Sequence, residues 1–359
     1  MFPPEVCPEM EDGSMREIVA GAVVAGLMIL VTGCQGKDAR VKRLLRGNAG
    51  RILVSSGALW WAEPVTGKRE LLAGGRKDRW VSYGRGCHLR GRNTILVAAE
   101  LGPAHTVLRE LDLRGRCLEE WEAPWMSLSE IVVSPDERWF AALGYDGRKE
   151  VLWVRKIGDP DSGFVLVDRY VHWATLASEG RFLYYTTWSK EKKPQCWRVP
   201  WEGGEPELLP WEGQIIGTSG HGAPGILWVG RKSWWGDELW WWRSGDPLGK
   251  VTLVSRELRL SGIGVWTGDA RAVVCGDAGW QLFGVGPRLH RLHLEFTLLY
   301  MVDLTTGEFE ELTPPHRCGG VEWIPERFFE EPSPRRVPVI ARTGRSPGSG
   351  KQASEGGRR

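Results

Sequence analysis

The chain has 359 residues, 42% of them hydrophobic, so it can bury a substantial core and falls outside the disordered, collagen and small disulfide-scaffold classes. Residues 333–359 hold seven Arg or Lys against the single acid Glu355; they carry +6, which leaves 2 − 6 = −4 for the remainder. An acidic body argues against a broad nucleic-acid footprint, which needs basic residues gathered on the folded surface. We therefore expect no nucleic-acid partner.

The first element along the chain is an apolar segment, residues 18–33, that carries no charge. It is shorter than the ~20 apolar residues that span a bilayer comfortably, and its length suits the hydrophobic region of a signal peptide. Residues 31–34, Val-Thr-Gly-Cys, resemble the bacterial lipoprotein pattern, in which the peptide is cut before the cysteine and the cysteine sulfur carries diacylglycerol. We expect lipidation at Cys34, with a plain transmembrane anchor as the alternative.

The residues on either side of this segment bear on where the mature chain begins and where it resides. Residues 1–14 are acidic, whereas the region ahead of a signal peptide's apolar core is positive. Translation from Met15 would remove the conflict, and we expect the chain to start there. Gln35 follows the cysteine, and the lipoprotein resemblance then implies, in a two-membrane bacterium, an outer-membrane anchor that faces the periplasm.

The body of the chain contains a repeat whose outline is an apolar strand, a turn, an aromatic strand and a polar edge. The second strands of this outline begin near Trp60, Leu108, Trp153, Trp197, Trp240 and Tyr300. Most intervals are about 43 to 48 residues, which matches the ~40 to 50 residues of a four-stranded propeller blade. Short strands bounded by Gly, Pro and Asp predict an all-β fold, a six-bladed β-propeller of four-stranded blades.

These features divide the chain into four predicted regions. Residues 1–33 form an upstream extension and signal peptide, and residues 34–50 form a tether. The propeller occupies residues 51–326. Residues 327–359 are rich in Gly, Ser, Pro and Arg and are expected to be a flexible basic tail.

Two turns resemble those of TolB-type propellers, whose blades carry a Ser-Pro-Asp-Gly-like turn between the first two strands and a Gly-Gly-Glu-Pro-like turn between the last two. Residues 134–137 look like the first, with Glu137 in place of Gly, and residues 203–206 look like the second. The resemblance covers roughly residues 50–326. It implies a propeller that serves protein partners.

The end of the propeller also predicts how its ring closes. Residues 321–328 echo residues 131–138 in the middle of the chain, whereas the first blade, which starts near Arg51, has no such strand of its own. We therefore expect residues 321–328 to supply the inner strand of blade one. This pairing would hide two sheet edges that otherwise attract other strands.

The 21 tryptophans are explained first by packing, because the middle strands of a blade are covered on both faces. Alternation along the strand puts Trp240 and Trp242 on one side of the sheet and Trp241 on the other. Trp188, Trp234 and Trp235 are exceptions because they fall in predicted turns, where burial is not automatic.

The turns that hold these tryptophans join the second and third strands of a blade, and all such connections emerge on one face of a propeller. Residues 145–147 and a long insertion at 278–296 belong to the same face; the insertion contains Arg288, His290, Arg291 and His293. Aromatic rings beside cationic groups predict a surface for a protein or a glycan. The alternative is that the rings fold back over the blade edges.

Motifs for catalysis, metals and cofactors are missing from the sequence. It contains neither a Gly-x-Ser-x-Gly elbow nor a phosphate loop, and its seven cysteines form no closely spaced pairs. His290 and His293 could share one face of a helix, but no further ligand is nearby in sequence. We therefore expect no metal and no cofactor.

Together these observations predict a non-catalytic binding or scaffold module, tethered to the bacterial envelope through Cys34 and serving a protein partner there. The competing hypothesis is an enzyme or glycan-binding protein with a site at the mouth of the central channel. Carboxylates or histidines that converge on the channel from several blades would favour the second hypothesis.

Overall fold

The structure is a computed structural model, and the part of the chain it describes is nearly all β-strand. The described residues are 42, 49–55, 57–66, 68–74, 81–102, 105–122, 127–145, 150–167, 176–189, 191, 193–216, 225–232, 237–258, 260–268, 271–277, 280–285, 288–293, 297–316 and 320–330. They confirm the all-β class. In this part of the chain no helix has the length and apolar character needed to cross a bilayer.

Six four-stranded antiparallel sheets, the blades, follow one another around a ring. The strands of the first three blades are β26 (Gly320–Pro325), β1 (Gly50–Ser55), β2 (Leu59–Ala62) and β3 (Arg69–Ala73); β4 (Ser82–Leu89), β5 (Thr94–Gly102), β6 (His105–Asp112) and β7 (Cys117–Glu122); and β8 (Ser127–Val133), β9 (Trp139–Tyr145), β10 (Glu150–Lys156) and β11 (Asp159–Val167). Each series runs from the inner strand to the outer strand, and the inner strands of these neighbouring blades contact one another.

The other three blades repeat this order, and the last of them carries an insertion. Their strands are β12 (Leu176–Glu179), β13 (Phe182–Trp188), β14 (Pro194–Pro200) and β15 (Glu207–Glu212); β16 (Gln214–Ile215), β17 (Gly225–Lys232), β18 (Asp237–Arg243) and β19 (Val251–Leu258); and β20 (Leu260–Gly268), β21 (Arg271–Asp277), β24 (Thr297–Asp303) and β25 (Phe309–His316). A two-stranded hairpin, β22 (Trp280–Val285) and β23 (Arg288–His293), lies between β21 and β24.

The ring closes as the sequence predicts, with the last strand of the chain in the first blade. Strand β26 is antiparallel to β1, with Trp323 opposite Ile52 and Val321 opposite Val54. The Trp323 ring is 1% exposed and packs in the core between blades six and one. The inner strand of blade one therefore comes from the far end of the sequence.

The chain continues beyond the predicted propeller boundary as a helical turn, α1 (Arg327–Glu330). Phe328 is buried, its ring meets His88 edge to face at 4.7 Å, and its carbonyl accepts a hydrogen bond from Asn93 Nδ2 at 2.9 Å. Phe329 meets Trp61 edge to face at 5.0 Å. These contacts hold α1 against blades one and two.

The repeat in the sequence corresponds to one position in every blade. The six predicted aromatic strands are β2, β6, β10, β14, β18 and β24, each the third strand from the centre. The repeat read from the sequence therefore omits the inner strand of each blade. What it counts as the second strand is the third strand of the blade in the structure. The longer last interval contains the β22–β23 hairpin, which accounts for its length.

Both TolB-like turns lie where the resemblance places them. Residues 134–138 join β8 to β9, and residues 203–206 join β14 to β15. Glu137 has a φ of 54°, in the left-handed region that usually favours glycine. The Glu137 carboxylate accepts a hydrogen bond from the Gly91 N–H at 2.9 Å. The glutamate that stands where TolB-type turns have glycine therefore links blade three to blade two.

The tryptophans serve mainly as packing, as the sequence indicates. Every tryptophan whose side chain the structure describes is buried or half-buried. Trp211 stacks on Trp228 at 4.8 Å, in the core between blades four and five. Trp240 and Trp242 belong to that core and Trp241 to the next one, as strand alternation requires.

Loss of the closing strand should destabilise the whole ring. We predict that deletion of residues 318–330 lowers the melting temperature by about 10 °C or more, because β1 and the core around Trp323 lose their partner. Thermal unfolding followed by circular dichroism measures this. A chain that ends after Glu330 is the matched control and should melt like the full-length protein. Equal melting of all three proteins would contradict the closure.

Candidate functional site

Each blade presents two sets of connections, one on each side of the ring. We call the side with the connections between second and third strands the upper face, and the side with the other connections within each blade the lower face. Tyr145 ends β9 and Trp188 ends β13, so both lie at the upper face. The β22–β23 hairpin extends from the same face, because it joins the second and third strands of blade six.

Trp188 and Tyr145 differ in how much of their rings reaches solvent. Tyr145 is 39% exposed. Trp188 is half-buried opposite Pro194, and its buried indole N–H has no hydrogen-bond acceptor among the residues that the structure describes. The Trp188 ring therefore folds partly back over the blade, as the alternative to a binding surface predicts. Only part of the ring is left for contact with a partner.

The other predicted residues of this face are described in part or not at all. Trp234 and Trp235 lie outside the described residues; the strand ends that flank them, in β17 and β18, are at the upper face. Arg288, His290 and His293 lie on β23, whose backbone is extended. The helical spacing considered for the two histidines is therefore wrong.

A second candidate, absent from the sequence predictions, lies where the inner strands of the first three blades meet. Arg85 on β4 donates a hydrogen bond from Nη1 to Glu130 Oε1 on β8 at 2.5 Å. Glu130 Oε2 also accepts from the Leu176 N–H of blade four at 3.1 Å. Glu322 on β26 adds a second carboxylate. All three charged residues are buried, with 2%, 7% and 6% of their surfaces exposed for Arg85, Glu130 and Glu322.

The electrostatics of this cluster follow from its burial. Burial raises the pKa of Glu130 to about 7, against the opposing effect of the Arg85 guanidinium and the hydrogen bonds from Leu176 and Arg85. Cys87 is also buried, and its thiol donates to the Ile131 carbonyl at 3.1 Å. Burial, with a further contribution from Glu322, raises the pKa of Cys87, so it stays a thiol and is a poor nucleophile.

The converging carboxylates are the feature that would favour an enzyme, but their setting favours a structural role. Glu130 already accepts hydrogen bonds from two neighbouring blades, and the cluster leaves almost no surface for a substrate. Among the described residues no group of three or more His, Cys, Asp or Glu could hold a metal ion. The arrangement ties the inner strands together.

The lower face holds a cavity of about 450 Å³ at blade one, which sequence reasoning also missed. Its walls include Arg51, Glu63, Lys68 and Glu326, so charged groups of both signs line it, beside apolar side chains. Arg51 lies 3.5 Å from Glu326 and 4.0 Å from Glu70. Arg51 is therefore shared by two of the carboxylates that line the cavity.

One sequence signal could have revealed the buried cluster. Arg85, Glu130 and Glu322 are single charges among small or apolar neighbours, in Gly-Arg-Gly, Ser-Glu-Ile and Val-Glu-Trp. A lone charge inside an apolar strand requires a buried partner. The pairing of these charges depends on which blades are neighbours in the ring. The sequence pattern does not contain that information.

Comparison with known proteins places this geometry among solved propellers. No family model and no curated protein matches the sequence. The fold matches that of TolB from Acinetobacter baumannii with a TM-score of 0.52 at 13% identity, over 76% of this chain and 65% of that one. The putative TolB from Agrobacterium tumefaciens gives 0.50 at 9% identity, over 77% and 99%.

The fold is that of a TolB-like β-propeller. A chain of a nidogen–laminin complex is similar to the same degree, with a TM-score of 0.52 at 9% identity over 77% of this chain and 98% of that one. Identities this low are evidence of shared architecture alone. The chain spans 65% of the Acinetobacter TolB.

The buried carboxylate should give the TolB-like propeller a pH-dependent stability. Because the pKa of Glu130 is raised, the folded state binds more protons than the unfolded state between about pH 4.5 and 7. The contribution of Glu130 to stability therefore declines as the pH rises through this window, by on the order of 3 kcal/mol for a shift of this size.

A Glu130→Gln variant measures this effect, since it removes the titration and keeps an oxygen for the Leu176 N–H. We predict that the variant gains unfolding free energy relative to the wild type as the pH rises from 4.5 to 7.5, measured by urea denaturation. Glu120→Gln on the outer strand β7 controls for the change of net charge. A constant difference between Glu130→Gln and the wild type across this range would contradict the prediction.

Proposed function

We propose that this protein is a non-catalytic binding module of the bacterial cell envelope, tethered to the membrane and engaging a protein partner with its upper face. The observation that carries the proposal is the convergence of the second-to-third connections of blades three to six, with Tyr145, Trp188 and an inserted hairpin, on one side of the ring. Aromatic residues are enriched in protein interfaces. The inner-strand carboxylates of Glu130 and Glu322, by contrast, are buried, and Glu130 is hydrogen-bonded to neighbouring blades.

The direction in which the chain enters the propeller supports this arrangement. Strand β1 begins at Gly50 opposite Pro325, where β26 ends, so the chain enters from the lower face. A lipid on Cys34 would lie 16 residues before Gly50, a reach of at most about 55 Å when extended. Such a tether would keep the propeller close to the membrane and would join it at the lower face, so that the upper face stays free of the attachment point.

The structural neighbours support a protein partner over a glycan. One of them is a TolB protein and another a putative TolB, and the resemblance of this chain to TolB-type propellers implies a protein partner. A third comes from the crystal structure of a nidogen–laminin complex. We assign the same class of ligand to the upper face here.

The tether is tested through Cys34. In cells that express the full-length gene, we predict incorporation of labelled palmitate and recovery in the membrane fraction, and loss of both in Cys34→Ser. Cys117→Ser, at an exposed cysteine of β7, is the matched control and should keep the label. Mass spectrometry of the mature N-terminus adds a check. A labelled Cys34→Ser protein, or a mature chain that retains residues 1–33, would contradict the anchor.

The binding face is tested by cross-linking in envelope preparations. A photoreactive amino acid at Tyr145 should give a discrete protein adduct, whereas the same group at Glu202, exposed on the lower face, should not. Trp234→Ala with Trp235→Ala should reduce the Tyr145 adduct several-fold. Leu71→Ala with Leu208→Ala removes exposed side chains from outer strands and serves as the control. Undiminished recovery with the tryptophan double variant would rule out the proposed face.

A further inference from the structure

The chain enters and leaves the propeller at one place on the lower face. The N–H of Glu326, which directly follows β26, donates a hydrogen bond to the carbonyl of Ala49, directly before β1, at 2.9 Å. Arg51 lies 3.5 Å from the Glu326 carboxylate, and its guanidinium lies over the Phe329 ring of α1, 4.4 Å from the ring centre. The chain before Ala49 and the chain after α1 are therefore attached to one small area of the ring.

The two segments attached there are cationic, whereas the propeller is not. Residues 34–48, the entry segment, contain five Lys or Arg against one Asp and carry +4. Residues 333–359, the exit segment, carry +6. Residues 49–332 contain 34 Lys or Arg against 38 Asp or Glu, a balance of −4. The positive charge of the protein is therefore concentrated in two lengths of chain that the fold joins to the same face.

The cavity at this attachment point has no excess of negative charge that would hold the two segments against blade one. Lys42 of the entry segment lines the cavity. The other charged residues of its lining are balanced, three cations against three acids: Arg51, Lys68, Arg69, Glu63, Glu70 and Glu326. The Glu63 carboxylate accepts hydrogen bonds from two backbone N–H groups of its own turn, and the other two carboxylates lie within 4.0 Å of Arg51. The acids of this cavity are therefore already engaged.

We propose that the lower face at blade one binds an anionic phospholipid surface, and that the entry and exit segments supply the positive charge. This inference rests on the proposed membrane tether and names the lipid chemistry that the tethered face meets. Each Lys or Arg held near an anionic bilayer adds about fivefold to the affinity. Two such segments joined at one point reinforce each other, because binding of one holds the other close to the same surface.

The position of the entry segment favours a bilayer over a nucleic acid as the anionic surface. The segment begins at Cys34, directly after the apolar residues 18–33. With a lipid on Cys34, its charges would lie within a few residues of the phospholipid headgroups. They would then lie within the roughly 10 Å over which charges at a surface attract one another in dilute salt.

Vesicle co-sedimentation tests the proposal with a chain that carries no lipid. The protein is residues 35–359, which include every residue that the structure describes and lack the apolar segment. The vesicles are two parts phosphatidylcholine to one part phosphatidylglycerol, and vesicles of phosphatidylcholine alone are the control. We expect at least tenfold tighter binding to the anionic vesicles, weakened at least tenfold between 50 and 500 mM salt because salt screens exposed charges. Equal binding to both kinds of vesicle would overturn the proposal.

Charge reversal assigns the binding to the two segments. Arg43→Glu with Arg46→Glu in the entry segment, and Arg335→Glu with Arg336→Glu in the exit segment, should each weaken binding to the anionic vesicles at least tenfold. Lys193→Glu with Arg256→Glu makes the same change of net charge at exposed positions of blades four and five and should alter binding less than twofold. The proposal fails if the three double variants behave alike, or if a DNA oligonucleotide binds the segments in preference to the vesicles.

The orientation of the docked propeller is tested by fluorescence quenching. A fluorescent amino acid at Lys68, exposed on the lower face at blade one, should be quenched by lipids that carry a nitroxide on the headgroup. The same amino acid at Tyr145, on the upper face, should not be quenched. Equal quenching at both positions would show that the lower face does not dock.

Failure of this inference can be told apart from failure of the proposed function. If the anionic vesicles do not bind, but Cys34 takes up palmitate and the Tyr145 cross-link is observed, the tether and the binding face are correct and the lipid contact is wrong. If the vesicles bind through the two segments but Cys34 takes up no palmitate, the lipid contact is correct and the lipid anchor is wrong.

Discussion

The pairing of β26 with β1 is the contact on which the rest of the structure depends. Without it, blade one would lack its inner strand, and blade six would keep blade five as a neighbour but lose the core that it shares with blade one. The contact is close: a Cβ on Gly50 would lie 2.6 Å from Trp323 Cζ2 and 2.7 Å from the Ile324 carbonyl oxygen. Glycine is required at this point because only a residue without a side chain lets the two strands meet over a buried indole.

Around the ring, buried polar side chains reinforce the joints between blades. Glu130 accepts from the Leu176 N–H, Thr186 Oγ1 from the Ile215 N–H at 2.9 Å, and Asp237 from the Leu260 N–H at 2.8 Å. Each acceptor reaches from one blade to the backbone of the next inner strand. Such an N–H has to be satisfied when it is buried. The same need for partners explains why three charged side chains can lie among the inner strands.

The two faces of the ring therefore have different characters. The lower face holds the entry of the chain, the helical turn α1 and a cavity lined by charged side chains of both signs. The upper face has an exposed tyrosine and a half-buried tryptophan, and a two-stranded hairpin is inserted there between the second and third strands of blade six. The exposed ring of Tyr145 therefore lies on the face opposite the point where the chain enters the propeller.

Much of the fold was determined by the sequence alone, because strand alternation, turn residues and a repeat of constant length are local properties. The six blades, the turn at residues 134–137, the split of Trp240 and Trp242 from Trp241, and the closing segment could all be predicted. Only the tertiary structure decided that Arg85 meets Glu130, that Glu137 reaches Gly91, and that His290 lies on a strand. These are contacts between blades or within an insertion of atypical length. They depend on how sheets far apart in sequence pack around the ring, which no local pattern records.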